Sequence, residues 1–361
     1  MKNAADFMAE FHPPEARKAV QLGPVFEALM PWLQQADAGE VKILAQTMLA
    51  LPTPWTTALS DVLAWLDEAD WPELVAQAVH SLQASDAAHA GCSPAVRTVL
   101  ECAGYQQPAA LQAHLKALSA HEFDWPEPIH PVQPVADAMH LIFPQFYLKP
   151  SISWIPRSWH PSWNLPSGGP SWPVGGEGKG QCKSCGGQLQ HLISLPAGIV
   201  YGLDEAMDGA MLHLQLCLSC MESGLGELHY RHDAQGQAHC LNAITSASAD
   251  GEWIEPDVQC GPLRASTATL APTPARWQRQ DWGMSNGREN LYRVGGAPSW
   301  VQSPWYPVCR GCGQSMDFVL QLDSQVPQQG DGQPHYWGSG GMLYAFACQT
   351  CAHSAFITQH T

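Results

Sequence analysis

Eight of the chain's twelve cysteines fall into four C-x-x-C pairs: Cys182/Cys185, Cys217/Cys220, Cys309/Cys312 and Cys348/Cys351. Two cysteines separated by two residues can approach one ion from a tight turn. Two such pairs supply the four ligands of a tetrahedral zinc site. The pairs also come in a repeated order. CKSCGGQLQHLISL, residues 182–195, is echoed 127 positions later by CRGCGQSMDFVLQL, residues 309–322. Each first pair is followed by a glycine, Gly186 or Gly313, free to take the positive φ that such turns need. AMLHLQLCLSC (210–220) answers GMLYAFACQTC (341–351), and GGPSW, ending at Trp172, answers GGAPSW, ending at Trp300. Landmarks repeated in one order mark an internal duplication, distinct from a solenoid of many short repeats.

The spacing therefore predicts two structural zinc ions per chain. Cys182, Cys185, Cys217 and Cys220 are expected around one, and Cys309, Cys312, Cys348 and Cys351 around the other. The gaps between paired motifs, 31 and 35 residues, suit a strand hairpin with an inserted loop. A redox C-x-x-C would sit at a strand-to-helix junction in a βαβ unit, which nothing here resembles. Iron–sulfur binding stays open on spacing alone. Cys92 and Cys102 read as core thiols, Cys240 and Cys260 as buried or free. His229-Tyr-Arg-His232-Asp233, with His239 nearby, reads as solvated loop histidines rather than a third metal site.

No catalytic residue is expected. A hydrolytic zinc keeps one position open for water, whereas four thiolates close the sphere. H-E-x-x-H, G-x-S-x-G and a phosphate-cradling Gly-Lys loop are all missing.

The elements that must carry these pairs change character along the chain. Residues 1–122 read as an acidic helical domain. Leu59, Val62, Leu63 and Leu66 recur at helical spacing, Asp70 with Glu73 has capping-box spacing, and Ser93-Pro94 opens a helix that Gly104 should close. Residues 123–149 read as a linker. The Pro, Ser, Gly and Trp-rich stretch that follows cannot hold a helix for long. Trp154, Trp159, Trp163 and Trp172 there are expected to pack over a core. Two mainly β repeats are expected, 150–260 and 261–361, each with a four-cysteine zinc site. The fold class is α+β, an N-terminal helical domain before a duplicated zinc-binding β region.

The charge narrows the partners. Over 361 residues, 17 Lys and Arg stand against 33 Asp and Glu, a net −16. Half of that excess lies in residues 1–122, with 14 acidic against 6 basic side chains. This disfavours nucleic acid, whose capture needs clustered cations, and suits a basic protein partner. No apolar run is long enough to span a bilayer and the first residues lack a signal-peptide core, so no membrane and a cytoplasmic location are expected.

RVGGAPSW, CRGCGQSMDFVLQL and GGMLYAFACQTC together resemble the programmed cell death protein 2 family and its YwqG-like bacterial relatives. In that family a Gly-Gly-x-Pro-x-Trp element precedes a C-x-x-C knuckle, a Phe-x-x-Gln-type strand and a Leu-Tyr-x-Phe strand. The resemblance covers roughly residues 150–361, closely over 293–351. It is looser over 168–220, where Leu212-His213-Leu214-Gln215 replaces Leu-Tyr-x-Phe, and it does not reach residues 1–122. It implies a non-catalytic protein-binding module: a chaperone-like binder of a basic client, or an immunity-type inhibitor of a bacterial toxin. The alternative is a zinc-dependent hydrolase whose site no motif betrays.

Overall fold

The computed structural model describes residues 3–11, 22–50, 56–84, 93–106, 113–114, 137–145, 147–148, 157, 160–201, 210–222, 226–242, 262–274, 277, 280, 282–287, 289–330 and 333–360. Cys92, Cys260, Trp154 and Trp159 lie outside them. The chain divides into two compact units, residues 1–131 with 152–161 and 274–281, and residues 132–151, 162–273 and 282–361.

The first unit is helical. Its described residues form α1 (Ala4–Phe11), α2 (Leu22–Leu33), α3 (Ala38–Leu49), α4 (Thr56–Ala64), α5 (Trp71–Ala84) and α6 (Pro94–Gln106). Leu59, Val62, Leu63 and Leu66 are all buried in one core, as their spacing predicts. On α5, Trp71, Leu74, Val75, Ala78, Val79 and Leu82 form the matching stripe. Asp70 and Glu73 form no capping box. A 3-10 turn, Glu68–Asp70, runs straight into α5. Both carboxylates instead hold Lys42 Nζ, at 3.0 and 2.5 Å. Side-chain caps lie instead at Asp37, which accepts the Glu40 N–H at 2.9 Å and starts α3, and at Asn3, which accepts the Asp6 N–H at 2.8 Å ahead of α1. Helix α6 begins at Ser93-Pro94 and runs two residues past Gly104.

The second unit is built on one sheet. Its strands are β1 (Met139–Ile142), β2 (Trp172–Val174), β3 (Glu177–Gln181), β4 (Gln188–Pro196), β5 (Met211–Leu216), β6 (Glu227–His232), β7 (Ala238–Cys240), β8 (Ser266–Pro272), β9 (Arg293–Val294), β10 (Asp317–Asp323), β11 (Met342–Cys348) and β12 (His353–Gln359). Two one-turn helices, α7 (Ala197–Tyr201) and α8 (Leu218–Glu222), follow β4 and β5. The strand order is β4-β2-β8-β1-β9-β10-β11-β12-β6-β7, with β3 and β5 also on β4. Its ends meet again: the His213 N–H on β5 donates to Gly236 C=O at 3.0 Å, and Gln215 Nε2 to Ala238 C=O at 2.8 Å. The sheet thus curls back on itself, which leaves few free edges.

The α+β class holds, and the duplication is visible as register. β4 pairs with β5 as β10 pairs with β11, and each ladder shifts register at the same place, between His191 and Ile193 and between Phe318 and Leu320. The short strands beside them match through Val-Gly-Gly. Val174 faces Ile193, and Val294 faces Leu320. The Gly175 N–H donates to Leu192 C=O at 2.9 Å, and the Gly295 N–H to Val319 C=O at 2.8 Å. Trp172 and Trp300 are therefore not counterparts. Pro-Ser-Trp precedes the Val-Gly-Gly strand in one copy and follows it in the other.

The two copies interlock. β1 pairs with β9 of the second copy, β8 pairs with β2 of the first, and β1 and β8 pair with each other. Residues 139–142 of the expected linker are thus a strand in the middle of the sheet. The expected division at residue 260 separates no two bodies, because β6 also pairs across it with β12. His229 and His232 are not solvated loop residues. They lie on β6 and are buried, because β6 is flanked on both sides by β12 and β7.

Candidate metal centres

The sequence places each first cysteine pair in a turn before a strand, and the structure shows how. Cys182 N–H donates to Gly187 C=O at 2.8 Å and Gly186 N–H returns to Cys182 C=O at 2.8 Å. Cys309 with Gln314 and Gly313 repeats both bonds at 2.8 Å. The return requires φ of 75° at Gly186 and 73° at Gly313, where a side chain would be strained. These turns leave N–H groups aimed at sulfur: Ser184 to Cys182, Gly187 to Cys185 and Gly311 to Cys309, each at 3.4 Å.

The second pairs come from strand ends. Cys217 follows β5, and the one-turn helix α8 carries Cys220. Cys348 ends β11, and Cys351 sits in the turn to β12. All eight predicted ligands converge in two groups of four, with the sulfurs of each group within 4.8 Å of one another. Measured pairs are Cys182–Cys220 at 3.6 Å, Cys185–Cys217 at 3.4 Å and Cys312–Cys348 at 3.6 Å. These are far beyond a disulfide bond of about 2.05 Å. A tetrahedral ion with metal–sulfur bonds of about 2.3 Å would set its sulfurs about 3.8 Å apart, so the spacing fits a metal.

Electrostatics agree with that fit. Contact with Cys217 and Cys220 holds the Cys182 thiol far below its usual range. Contact with Cys182 in turn pushes Cys217 up to about 12 and Cys220 higher still. In the second group the Gln314 backbone lowers Cys312, whereas burial raises Cys348 and takes Cys351 up to about 12. A dication that replaces the thiol protons removes this conflict. The first quartet is wholly buried. The second is more open, with Cys312 exposed and Cys351 half-buried.

Other residues around the centres escaped the sequence. Cys240, on β7, lies against Cys182 of the first quartet. His353 brings its Nδ1 to 3.4 Å from Cys309 Sγ in the second. The string Cys351-Ala-His353 was a visible signal for the latter. Nothing in the sequence linked Cys240 to the knuckle, because the link is made by strand pairing. The His229, His232, Asp233 and His239 run joins no metal-like group among the described residues. His232 Nε2 meets Ser354 Oγ at 2.9 Å, and His239 Nε2 meets Asp233 at 2.8 Å.

The copies differ most on the face of the β4/β5 and β10/β11 ladders. In the second copy residues 297–308 cover this face, with Trp300 4.8 Å from Tyr344 and Tyr306 5.8 Å from Phe346. The first copy has only β3 between Val-Gly-Gly and its knuckle. Ser194 opposite His213 takes the place of Gln321 opposite Tyr344. His191 Nδ1 donates to Gly175 C=O at 2.8 Å, which leaves Nε2 to accept from the Ser194 hydroxyl at 2.7 Å. Ser194 Oγ then accepts from His213 Nδ1 at 2.7 Å. Burial lowers both imidazole pKa values.

No protein-family model matches the chain, and no solved structure does. One stretch of 69 residues is 36% identical to the uncharacterized protein YpfL of Salmonella typhimurium (strain LT2). That match covers 19% of this chain and 15% of YpfL, so the chain spans a small part of that relative's length. Among the described residues, no helix is long and apolar enough to cross a membrane.

Proposed function

We propose that both quartets hold zinc and that the chain is a non-catalytic, zinc-stabilised protein-binding module. One observation carries this: in each quartet four cysteine sulfurs lie within 4.8 Å of one another, three of the first four at 2% exposure or less, the number and kind of ligand a tetrahedral zinc takes. Such an ion ties a knuckle turn to a strand end and adds folding free energy rather than a reactive water. The net −16 supports a basic partner, as a chaperone-like binder of a basic client or an immunity-type inhibitor of a toxin would need. Acidity at the surface speeds encounter with cations and rejects nucleic acid. The setting in which both would occur is the cytoplasm, where free thiolates persist.

The test is capture from the source organism with the full chain, followed by mass spectrometry. A basic protein in fixed stoichiometry, released by a zinc chelator, is the expected result. Capture of nothing but acidic or nucleic-acid-bound material would sink the reading.

A hydrolase remains the rival, and the one specific observation behind it is a serine site rather than an open zinc. Ser194 is held between two imidazoles, with His191 oriented to accept its proton. Hydrolysis of ester or peptide substrates lost in Ser194→Ala would favour that rival; no turnover with or without added zinc favours the binder.

A further inference from the structure

Each quartet has a fifth donor beside it, and both donors lie next to the knuckle of the equivalent first cysteine. Cys182 and Cys309 are the first cysteines of the two knuckles, 127 residues apart. Cys240 ends β7 beside the Cys182 knuckle. Its place is fixed independently by Asn242, whose C=O accepts from Ser184 Oγ inside the knuckle at 3.0 Å and from Cys240 Sγ at 3.9 Å. Cys240 also pairs across the ladder with Tyr230, whose hydroxyl accepts the Cys217 N–H at 3.0 Å. The thiol is therefore anchored to both halves of the quartet, and only 3% of the residue is exposed.

In the second centre His353 comes from β12, opposite Cys348 in the ladder, and its Nδ1 sits 3.4 Å from Cys309 Sγ. Room for the ring is built into the knuckle. A Cβ on Gly311 would lie 3.0 Å from His353 Cε1 and 2.8 Å from Cys351 Sγ. The first knuckle has Ser184 at that position, hydrogen-bonded away to Asn242. Thiolate and imidazole are both zinc ligands of the right reach, so a small shift of either donor enters the coordination sphere.

We propose that Cys240 and His353 are reserve zinc ligands, each able to occupy the coordination position of the first knuckle cysteine, Cys182 or Cys309. The proposal rests on the zinc reading above. Each centre has five donors for four positions. Cys240 binds as thiolate, releasing its proton to solvent, and gives a second all-sulfur set. His353 binds as neutral imidazole through Nδ1 and gives a three-sulfur, one-nitrogen set.

The experiment counts zinc in the full chain purified without added metal, and repeats the count after cobalt substitution to read ligand type. Wild type is expected to hold two ions, as are Cys182→Ala and Cys309→Ala. Cys185→Ala, which has no adjacent spare donor among the described residues, should hold one. The doubles Cys182→Ala/Cys240→Ala and Cys309→Ala/His353→Phe should each hold one as well. The cobalt form of Cys182→Ala should keep a four-thiolate spectrum. That of Cys309→Ala should lose about a quarter of one centre's sulfur charge-transfer intensity, with its ligand-field band moved to shorter wavelength as nitrogen replaces sulfur. A two-zinc wild type with one-zinc Cys182→Ala and Cys309→Ala overturns this proposal alone. A wild type without zinc overturns the zinc reading and this proposal together.

Discussion

Leu141 and Tyr292 join the two copies: the Leu141 N–H donates to Tyr292 C=O at 2.9 Å, with Leu141 wholly buried. The strand that precedes the first knuckle thus completes the second copy. Leu141→Pro removes that donor and an apolar side chain from the middle of the sheet, a cost of about 3 kcal/mol or more. Because β1 and β8 also pair, the loss should reach both copies. Hydrogen exchange is expected to rise in β2 and in β10 together; a rise confined to β9 and β10 would mean that the copies fold separately.

Metal removal should show the same coupling. Structural zinc contributes on the order of 10 kcal/mol in small modules near neutral pH. Cys348→Ala is expected to lower zinc from two ions to one, and chelation of both should melt the sheet while the helical circular dichroism persists. A chain whose near-ultraviolet spectrum is unchanged by chelation would show that the quartets do not hold the fold.

The aromatic cover of the second copy makes a local prediction. Phe346 is fully buried and lies 6.0–6.1 Å from Phe318 and Trp300. Phe346→Ala should cost about 3–5 kcal/mol through lost burial and a cavity. Denaturant unfolding followed by tryptophan fluorescence measures it, and a change within about 0.5 kcal/mol would mean the cover does not pack.

Low pH should destabilise the sheet through its buried histidines. Burial lowers the pKa of His191, His213 and His232 from 6.5. The unfolded chain therefore binds protons on these rings before the folded one does. Their contribution is present above about 6.5 and is lost as pH falls through the folded values. In zinc-saturated protein the unfolding midpoint should drop more between pH 7.5 and 5.5 in wild type than in His232→Gln. Equal drops would remove His232 from the account.

The parts legible in the sequence are those written locally. C-x-x-C-G specifies its own turn at Cys182–Gly186 and at Cys309–Gly313, and the duplicated order of the four pairs set the grouping of the eight cysteines into quartets. Helical spacing at Leu59–Leu66 and the continuous apolar run at Met342–Cys348 did the same for their elements. What escaped depends on pairing between distant strands. β1 reads as linker because four residues with a histidine, Met139–Ile142, carry little signal until β8 and β9 flank them. Cys240 reads as incidental for the same reason. Pro-Ser-Trp pairs Trp172 with Trp300 by composition alone, whereas strand register is set by the positive-φ Val-Gly-Gly at 174–176 and 294–296.

The proposed binding role predicts how partner association responds to salt. Residues 1–122 carry a net −8, and Asp6 and Glu27 are exposed on α1 and α2. Opposite charge accelerates encounter more than it strengthens a bound complex. The association rate with a captured basic partner should therefore fall steeply as salt rises, since exposed charges are screened beyond about 10 Å at 0.1 M. Dissociation should change far less. Asp6→Lys/Glu27→Lys leaves the quartets untouched and should flatten the salt slope while zinc stays at two ions. Surface-binding kinetics at several ionic strengths provide the measurement. Identical salt slopes for the double variant and wild type would mean that the helical region's charge keeps the chain soluble and takes no part in choosing its partner.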